Sequence, residues 1–425
     1  MVYDFMSPLI LALMHPAPLP AAPVIALLAL LAGQPAEVLA QGSPGDTLHL
    51  SLADVLTQVR EEHPIWKAGS AKVLAARSRA GERSSTPSPK INVATAALTE
   101  VRLELLQPLR WPWEGSALKG VGVQDVAAAA ADAEADRRAV MLDAAQRFAD
   151  GLRSTRALAI AMEAESLTRH TVDVVAPGDR PEQATDLAGL QTLVTLDEAH
   201  RARVQAQLQH TIAQARLAVV LGRDPGTPIV FEGELADIAP LTAPGAALAS
   251  ALATDPKSAR LEHEAERARQ EARLARARRW PALELGPAVT VGDKARLGLA
   301  LGLSVPWNRQ RDAIRAAHAE RDTALALIEV RHRELPALVT EALVTLTLAD
   351  SGLGLLRGRT LARAARALTL AEQAAPQRGP FVLAWLAARE AYLDARVAEL
   401  DLEWQAAQAR LVLRSVTGSL IMEEP

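Results

Sequence analysis

The chain has 425 residues, a formal net charge of -4, no cysteine and only 3% aromatic residues. Without cysteine there is no disulfide, no thiolate metal site, no cysteine nucleophile and no lipidated cysteine. No strongly basic block points to nucleic acid, and the dominance of Ala, Leu, Arg, Glu and Gln suits long helices and coiled coils.

In chain order, residues 1–40 read as a secretory signal peptide. Residues 24–32 (VIALLALLA) form an apolar stretch too short to span a bilayer, and Val38-Leu39-Ala40 ahead of Gln41 suits signal cleavage. The segment departs from the pattern in one respect: no Lys or Arg precedes Arg60, and Met14 is an alternative start. No other stretch reads as long and apolar enough for a transmembrane helix. Contact with a membrane therefore has to come through strands or at the surface.

A polar linker, residues 41–50, leads into a first structural repeat over residues 51–222. Ser51 and Asp54 begin a helix expected to run to about residue 83, past His63-Pro64. A short hairpin follows over residues 90–108, with Ile91, Val93, Val101, Leu103 and Leu105 alternating with other residues and Pro108 closing it. Next comes a helix of about sixty residues, roughly 90–100 Å long at the usual rise. A tight turn at residues 176–181 and a returning helix ending at Gly222 complete the repeat. Residues 223–245 read as an irregular connector with a possible strand at Ile229-Val230-Phe231.

The plan then recurs over residues 246–420, leaving a tail at 421–425. A helix passes Asp255-Pro256, and a hairpin spans residues 282–306. A long helix contains Pro336, expected to kink it. A turn lies at residues 376–380, and a returning helix stops at Gly418. Pro64 and Pro256 are 192 positions apart, as are Pro89 and Pro281. Gly222 and Gly418 are 196 apart and Pro108 and Pro306 are 198 apart, which marks an internal duplication. Stepping by 4 and 3 from Met141 to Met162 and from Leu386 to Leu411 gives the narrow apolar seams of coiled coils. The fold class is thus mainly α with a small β part, built as a duplicated helix, hairpin, long helix, returning helix.

The second hairpin is the sharpest β signal. Leu297, Leu299, Leu301, Leu303 and Val305 alternate with Gly298, Ala300, Gly302 and Ser304. Four strands cannot close a barrel, so closure needs several chains. The pattern suits lipid on the Leu face and a lumen on the other. It also fits a water-soluble sheet packed on helices. Trp111, Trp113, Trp280 and Trp307 lie where hairpins meet helices, as in an interfacial aromatic girdle. In the thinner first hairpin, Arg102 and Glu104 are acceptable only if they face water or pair.

The duplicated order resembles the TolC-type outer membrane efflux proteins over nearly the whole mature chain. Local marks are Leu105-Leu106-Gln107-Pro108-Leu109, Leu303-Ser304-Val305-Pro306-Trp307-Asn308-Arg309, and the opening phrase from Leu52 to Pro64. The short form is more like the CzcC-type heavy-metal branch. The resemblance implies a homotrimer whose twelve strands form one outer-membrane β-barrel, continuous with an α-helical coiled-coil barrel in the periplasm. It also implies a periplasmic membrane-fusion adaptor and an inner-membrane pump as partners, and no cofactor. The family's adaptor-contacting tips correspond to Pro177, Gly178, Asp179, Arg180, Arg378, Gly379 and Pro380. Charges there, with Glu182 and Glu372, become rings in a trimer. The expected function is a passive efflux duct for solutes or metal ions. The alternatives are the exit duct of a type I protein-secretion system and a soluble periplasmic scaffold. Glu262-His263-Glu264 and His318-Ala319-Glu320 lack metal-ligand spacing, and no phosphate loop or nucleophile motif supports an enzyme.

Overall fold

The computed structural model describes residues 47–97, 100–175, 187–238, 244–292, 294–305, 309–374 and 380–422. Strand β1 (Leu48–Leu50) lies in the segment read as a linker. Helix α1 (Leu52–Glu62) starts on a capping box. The Asp54 amide donates to Ser51 Oγ at 3.3 Å, and the Ser51 amide donates back to the Asp54 carboxylate at 2.9 Å. His63 then breaks the chain, and α2 (Pro64–Ser84) begins anew. The expected single helix is two, because a residue before proline is pushed out of the helical region and His63 sits at ψ 131°. His63 Nδ1 caps the new helix by accepting from the Ile65 amide at 3.2 Å.

Strands β2 (Lys90–Ala97) and β3 (Glu100–Leu109) precede α3 (Pro112–Val175), a helix of 64 residues. Pro108 does not end β3, which runs one residue further and pairs Leu109 with Leu283. Helix α4 (Leu187–Val220) returns and ends at Gly222, whose φ of 68° needs a residue without a Cβ. Strand β4 (Ile229–Phe231) pairs in parallel with β1, and a short 3-10 turn follows at Leu235–Asp237.

The second half begins with α5 (Pro244–Thr254) and α6 (Pro256–Ala277), split at Asp255 as α1 and α2 are split at His63. Strands β5 (Ala282–Val291) and β6 (Arg296–Ser304) lead into α7 (Arg309–Leu355), a π-helical segment at Leu356–Leu361 and α8 (Ala362–Ala374). Helix α7 continues through Pro336, flanked by the buried Leu335 and Val339. A departure from α geometry follows at Leu356–Leu361, where Arg357 reaches Glu399 and Glu403. Helices α9 (Pro380–Thr417) and α10 (Ser419–Met422) close the chain. The run Gln310–Ala374 contains a window long and apolar enough to cross a membrane by composition, which corrects the expectation that no stretch beyond the signal segment would. Val339 and Ala342 of that run pack against Ala247, Ala251 and Leu413 of neighbouring helices.

The main core gathers where α1, the middle of α3, the end of α4, the β1–β4 pair and α9 converge. Val55, Met141, Phe148, Leu217, Ile229, Leu235 and Leu411 are all essentially sealed from water. Phe231 lies directly on Gly151 of α3, where any Cβ would overlap its ring. Phe148 meets the same ring edge-on at 5.9 Å. The short β1–β4 pair thus pins the middle of the longest helix. A buried pair fastens α6 to α7. Arg331 donates two hydrogen bonds of 3.0 Å to the Asp255 carboxylate, which also accepts from the Ser258 amide at 2.9 Å. Burial pushes the Asp255 carboxyl up, but Arg331 and Ser258 outweigh it and hold the group below its ordinary value.

Two outcomes follow from this packing. Gly151→Val drives a branched side chain into the Phe231 ring, and denaturant titration should show a loss of about 1–3 kcal/mol. Asp255→Ala removes the main partner of a half-buried guanidinium, which keeps Glu334 at 3.4 Å, and should cost about 1.5–3 kcal/mol. Because the folded-state carboxyl is lowered, its stabilisation is complete above the unfolded value near pH 4 and fades as pH falls through the folded value. A stability–pH profile of the wild type should therefore drop below about pH 4, and that of Asp255→Ala should drop less.

Candidate membrane-facing sheet and its junction with the helices

The strands form one four-stranded sheet in the order β2-β3-β5-β6, so the hairpins of the two halves join at β3–β5. Up to the register shift at Thr95/Ala97, the pairing puts the odd-numbered positions on one face. Leu303 lies opposite Leu283, Leu301 opposite Leu285, Leu299 opposite Pro287 and Leu297 opposite Val289. Across the next ladders Val289 meets Leu103, and Leu103 meets Val93. This face is apolar across its width and open to solvent. Leu297, Leu299, Leu301 and Leu303 are 61–83% exposed, and Val305, Ile91, Val93, Leu103 and Leu105 are exposed as well.

The even-numbered face is small or polar. It carries Gly298, Ala300, Gly302, Gly286, Ala288, Asn92 and Ala94. Leu106 is its large apolar residue, buried against Ala288 and Ala300. Four of its charged residues pair, Arg102 Nε lying 2.7 Å from Glu104 and Lys90 Nζ 2.6 Å from Glu284, while Arg296 at the start of β6 is exposed and meets no carboxylate among the described residues. Arg102 and Glu104 thus meet the condition set by the sequence, and the second pair spans the two halves. Gln107 falls on the odd face, yet its side-chain amide turns to the Pro87 carbonyl at 2.7 Å. Such contacts depend on register and were not visible in the sequence.

At β3–β5 the two backbones come unusually close. A Cβ on Gly286 would overlap the Leu105 carbonyl oxygen. The ladder is interrupted there, between Glu104↔Ala288 and Gln107↔Leu285, where Pro287 has no amide hydrogen to donate. A glycine and a proline therefore sit together at the seam between the halves.

Three tryptophans gather where strands become helices. Trp111 stacks on Trp113 with ring centres 5.0 Å apart, Trp113 lies 5.9 Å from Trp280, and Trp111 Nε1 donates to the Pro281 carbonyl at 3.0 Å. They form one cluster bridging the halves rather than separate anchors. Trp307 lies outside the described residues, as do Pro177, Gly178, Asp179, Arg180, Glu182, Arg378, Gly379 and the signal segment. Pro380 is the first residue of α9, and Glu372 lies in the last turn of α8. Among the described residues no cluster of three or more His, Cys, Asp or Glu could hold a metal ion.

No protein-family model and no curated protein matches the sequence. Solved structures match closely in shape. A membrane protein from Pseudomonas aeruginosa superposes with a TM-score of 0.73 at 18% identity, covering 86% of this chain and 93% of its own. The open-state MtrE outer membrane channel of Neisseria gonorrhoeae gives 0.71 at 16% identity, with coverages of 86% and 88%. The CmeC outer membrane channel of Campylobacter jejuni gives 0.75 at 14% identity, with coverages of 88% and 87%.

The Gly286 contact yields a direct expectation. Gly286→Val should separate β3 from β5 while leaving the helices folded, and limited proteolysis should then cut within residues 282–304 and spare α3. The likeness expected from the sequence holds at the level of the fold: the chain folds as the MtrE and CmeC outer membrane channels do.

Proposed function

We propose that the chain is the outer-membrane channel of a tripartite efflux system, a passive exit duct. The observation that carries this reading is the sheet: four strands, one continuous exposed apolar face, one small and polar face, and unpaired outer edges on β2 and β6. Open edges and an apolar face of this size are liabilities in water. Both are removed if β6 of one copy pairs with β2 of the next and the closed sheet enters lipid. Three copies supply twelve strands, enough to close a barrel with an open bore. Strands of 8–10 residues suit a tilted crossing, which needs about 9–11. The solved neighbours described as outer membrane channels support the same reading.

In this arrangement Leu297, Leu299, Leu301, Leu303 and Val305 face lipid, and the Trp111, Trp113 and Trp280 cluster sits at the interface. Gly298, Ala300 and Gly302, with the paired Lys90–Glu284 and Arg102–Glu104, face the bore. The helices carry the conduit into the periplasm. Residues 176–181 and 376–380, with Pro177, Gly178, Asp179, Arg180, Arg378, Gly379 and Pro380, would meet the adaptor, and the inner-membrane pump supplies the energy.

The test compares opposite faces of β6. Leu299→Arg and Leu301→Arg put a charge at mid-strand on the lipid side, at about 2–4 kcal/mol each, and three copies multiply that cost. Fractionation should show both variants absent from the outer membrane. Gly298→Asp points to the bore, where nothing lies within 4 Å of a new Cβ, and should assemble normally. Equal recovery of all three would contradict the membrane assignment.

A further inference from the structure

Between the first turns of α3 and the last turns of α6 lies an open cleft of about 690 Å3, lined by Trp113, Gly120, Gln270, Arg273, Arg276 and Trp280 among others. It borders the sheet directly, since Trp280 and Pro281 lead into β5 at Ala282. Trp113 and Trp280 remain 44% and 59% exposed, a position that suits indole rings at a lipid headgroup layer.

The charge along α6 changes character at this point. Further up the helix, Arg260 pairs with Glu264, Arg267 with Asp125 and Arg269 with Glu266. From residue 272 to residue 283 there is no acidic residue, and four arginines follow one another at 273, 276, 278 and 279. Arg278 reaches Glu114 at 3.4 Å. Arg273 donates only to the Gln270 side chain at 3.3 Å, and Arg276 meets His318 Nε2 at 3.1 Å. Among the described residues neither of these two forms an ion pair with a carboxylate. The helix dipole favours cations in a last turn, but it does not turn two guanidiniums into a tryptophan-walled cleft.

We infer that this cleft binds the phosphate headgroup of an anionic phospholipid in the periplasm-facing leaflet, with Arg273 and Arg276 as donors and the Trp113 and Trp280 rings against the glycerol and upper acyl chains. The inference rests on the outer-membrane reading above. Guanidinium pairs phosphate in two parallel hydrogen bonds. Two basic residues near such a surface contribute on the order of a tenfold preference or more.

The test reconstitutes the full-length protein into vesicles of phosphatidylcholine alone and of phosphatidylcholine with a minority of phosphatidylglycerol. Native mass spectrometry then reads the lipid retained after mild delipidation. The wild type should insert into both and retain phosphatidylglycerol over phosphatidylcholine by roughly tenfold or more. R273Q/R276Q should insert equally and lose most of that preference, while R273K/R276K keeps part of it. Insertion without a preference, or a glutamine variant that retains phosphatidylglycerol like the wild type, would overturn the proposal and leave the channel reading standing. Failure to insert into either vesicle would overturn both. Inorganic phosphate should not displace the lipid, and displacement would overturn the lipid assignment in favour of a free-phosphate site.

Discussion

The seam between β3 and β5 is the constraint on which the rest of the structure depends. Each half of the chain makes only a hairpin, and a lone hairpin is marginally stable in water. Pairing Val101 with Val291 and Leu109 with Leu283 joins the two hairpins into one sheet. It also fixes which face every strand presents, because a slip of one residue would send each leucine to the other side. Gly286 and Pro287 sit at the closest approach of the two backbones. The absent side chain lets the strands meet there, and the absent amide hydrogen suits the gap in the ladder.

From that register follows the division of labour between the faces. No described residue of the odd face is fully buried, and leaving so much apolar area in water is unfavourable at about 25 cal/mol per Å2. The even face pairs four of its charged residues as Lys90–Glu284 and Arg102–Glu104. The helices hold this sheet at one end of a 64-residue helix. The core around Phe231 and Gly151 and the Asp255–Arg331 pair hold the helices in register with one another. The tryptophan cluster lies where these two regimes meet, and the unpaired arginines beside it give that boundary a chemistry of its own.

Much of this was legible in the sequence, because periodicity reports burial directly. Alternation over residues 297–305 marked β6 and its exposed face, and the recurring Pro and Gly landmarks marked the duplication. Other features were hidden. The breaks at His63 and Asp255 depend on the residue before proline leaving the helical region, and the helical pattern continues on both sides of each break. Strand β1 is three residues long, too short to show a period, and its partner lies far away in sequence at β4. The π-helical segment at Leu356–Leu361 had no sequence signal, since no proline stands there. The run of arginines at 273–279 was readable, but its lack of carboxylate partners appears only in three dimensions.

The central claim is that copies of this chain close one shared barrel in the outer membrane. The most direct measurement is the native mass of the protein extracted from that membrane in detergent, corrected for bound detergent. A particle of three chains is the predicted result, since three copies of the four-stranded sheet close into twelve strands. A monomer recovered from the periplasmic fraction without detergent would contradict the account and leave a soluble helical scaffold in its place.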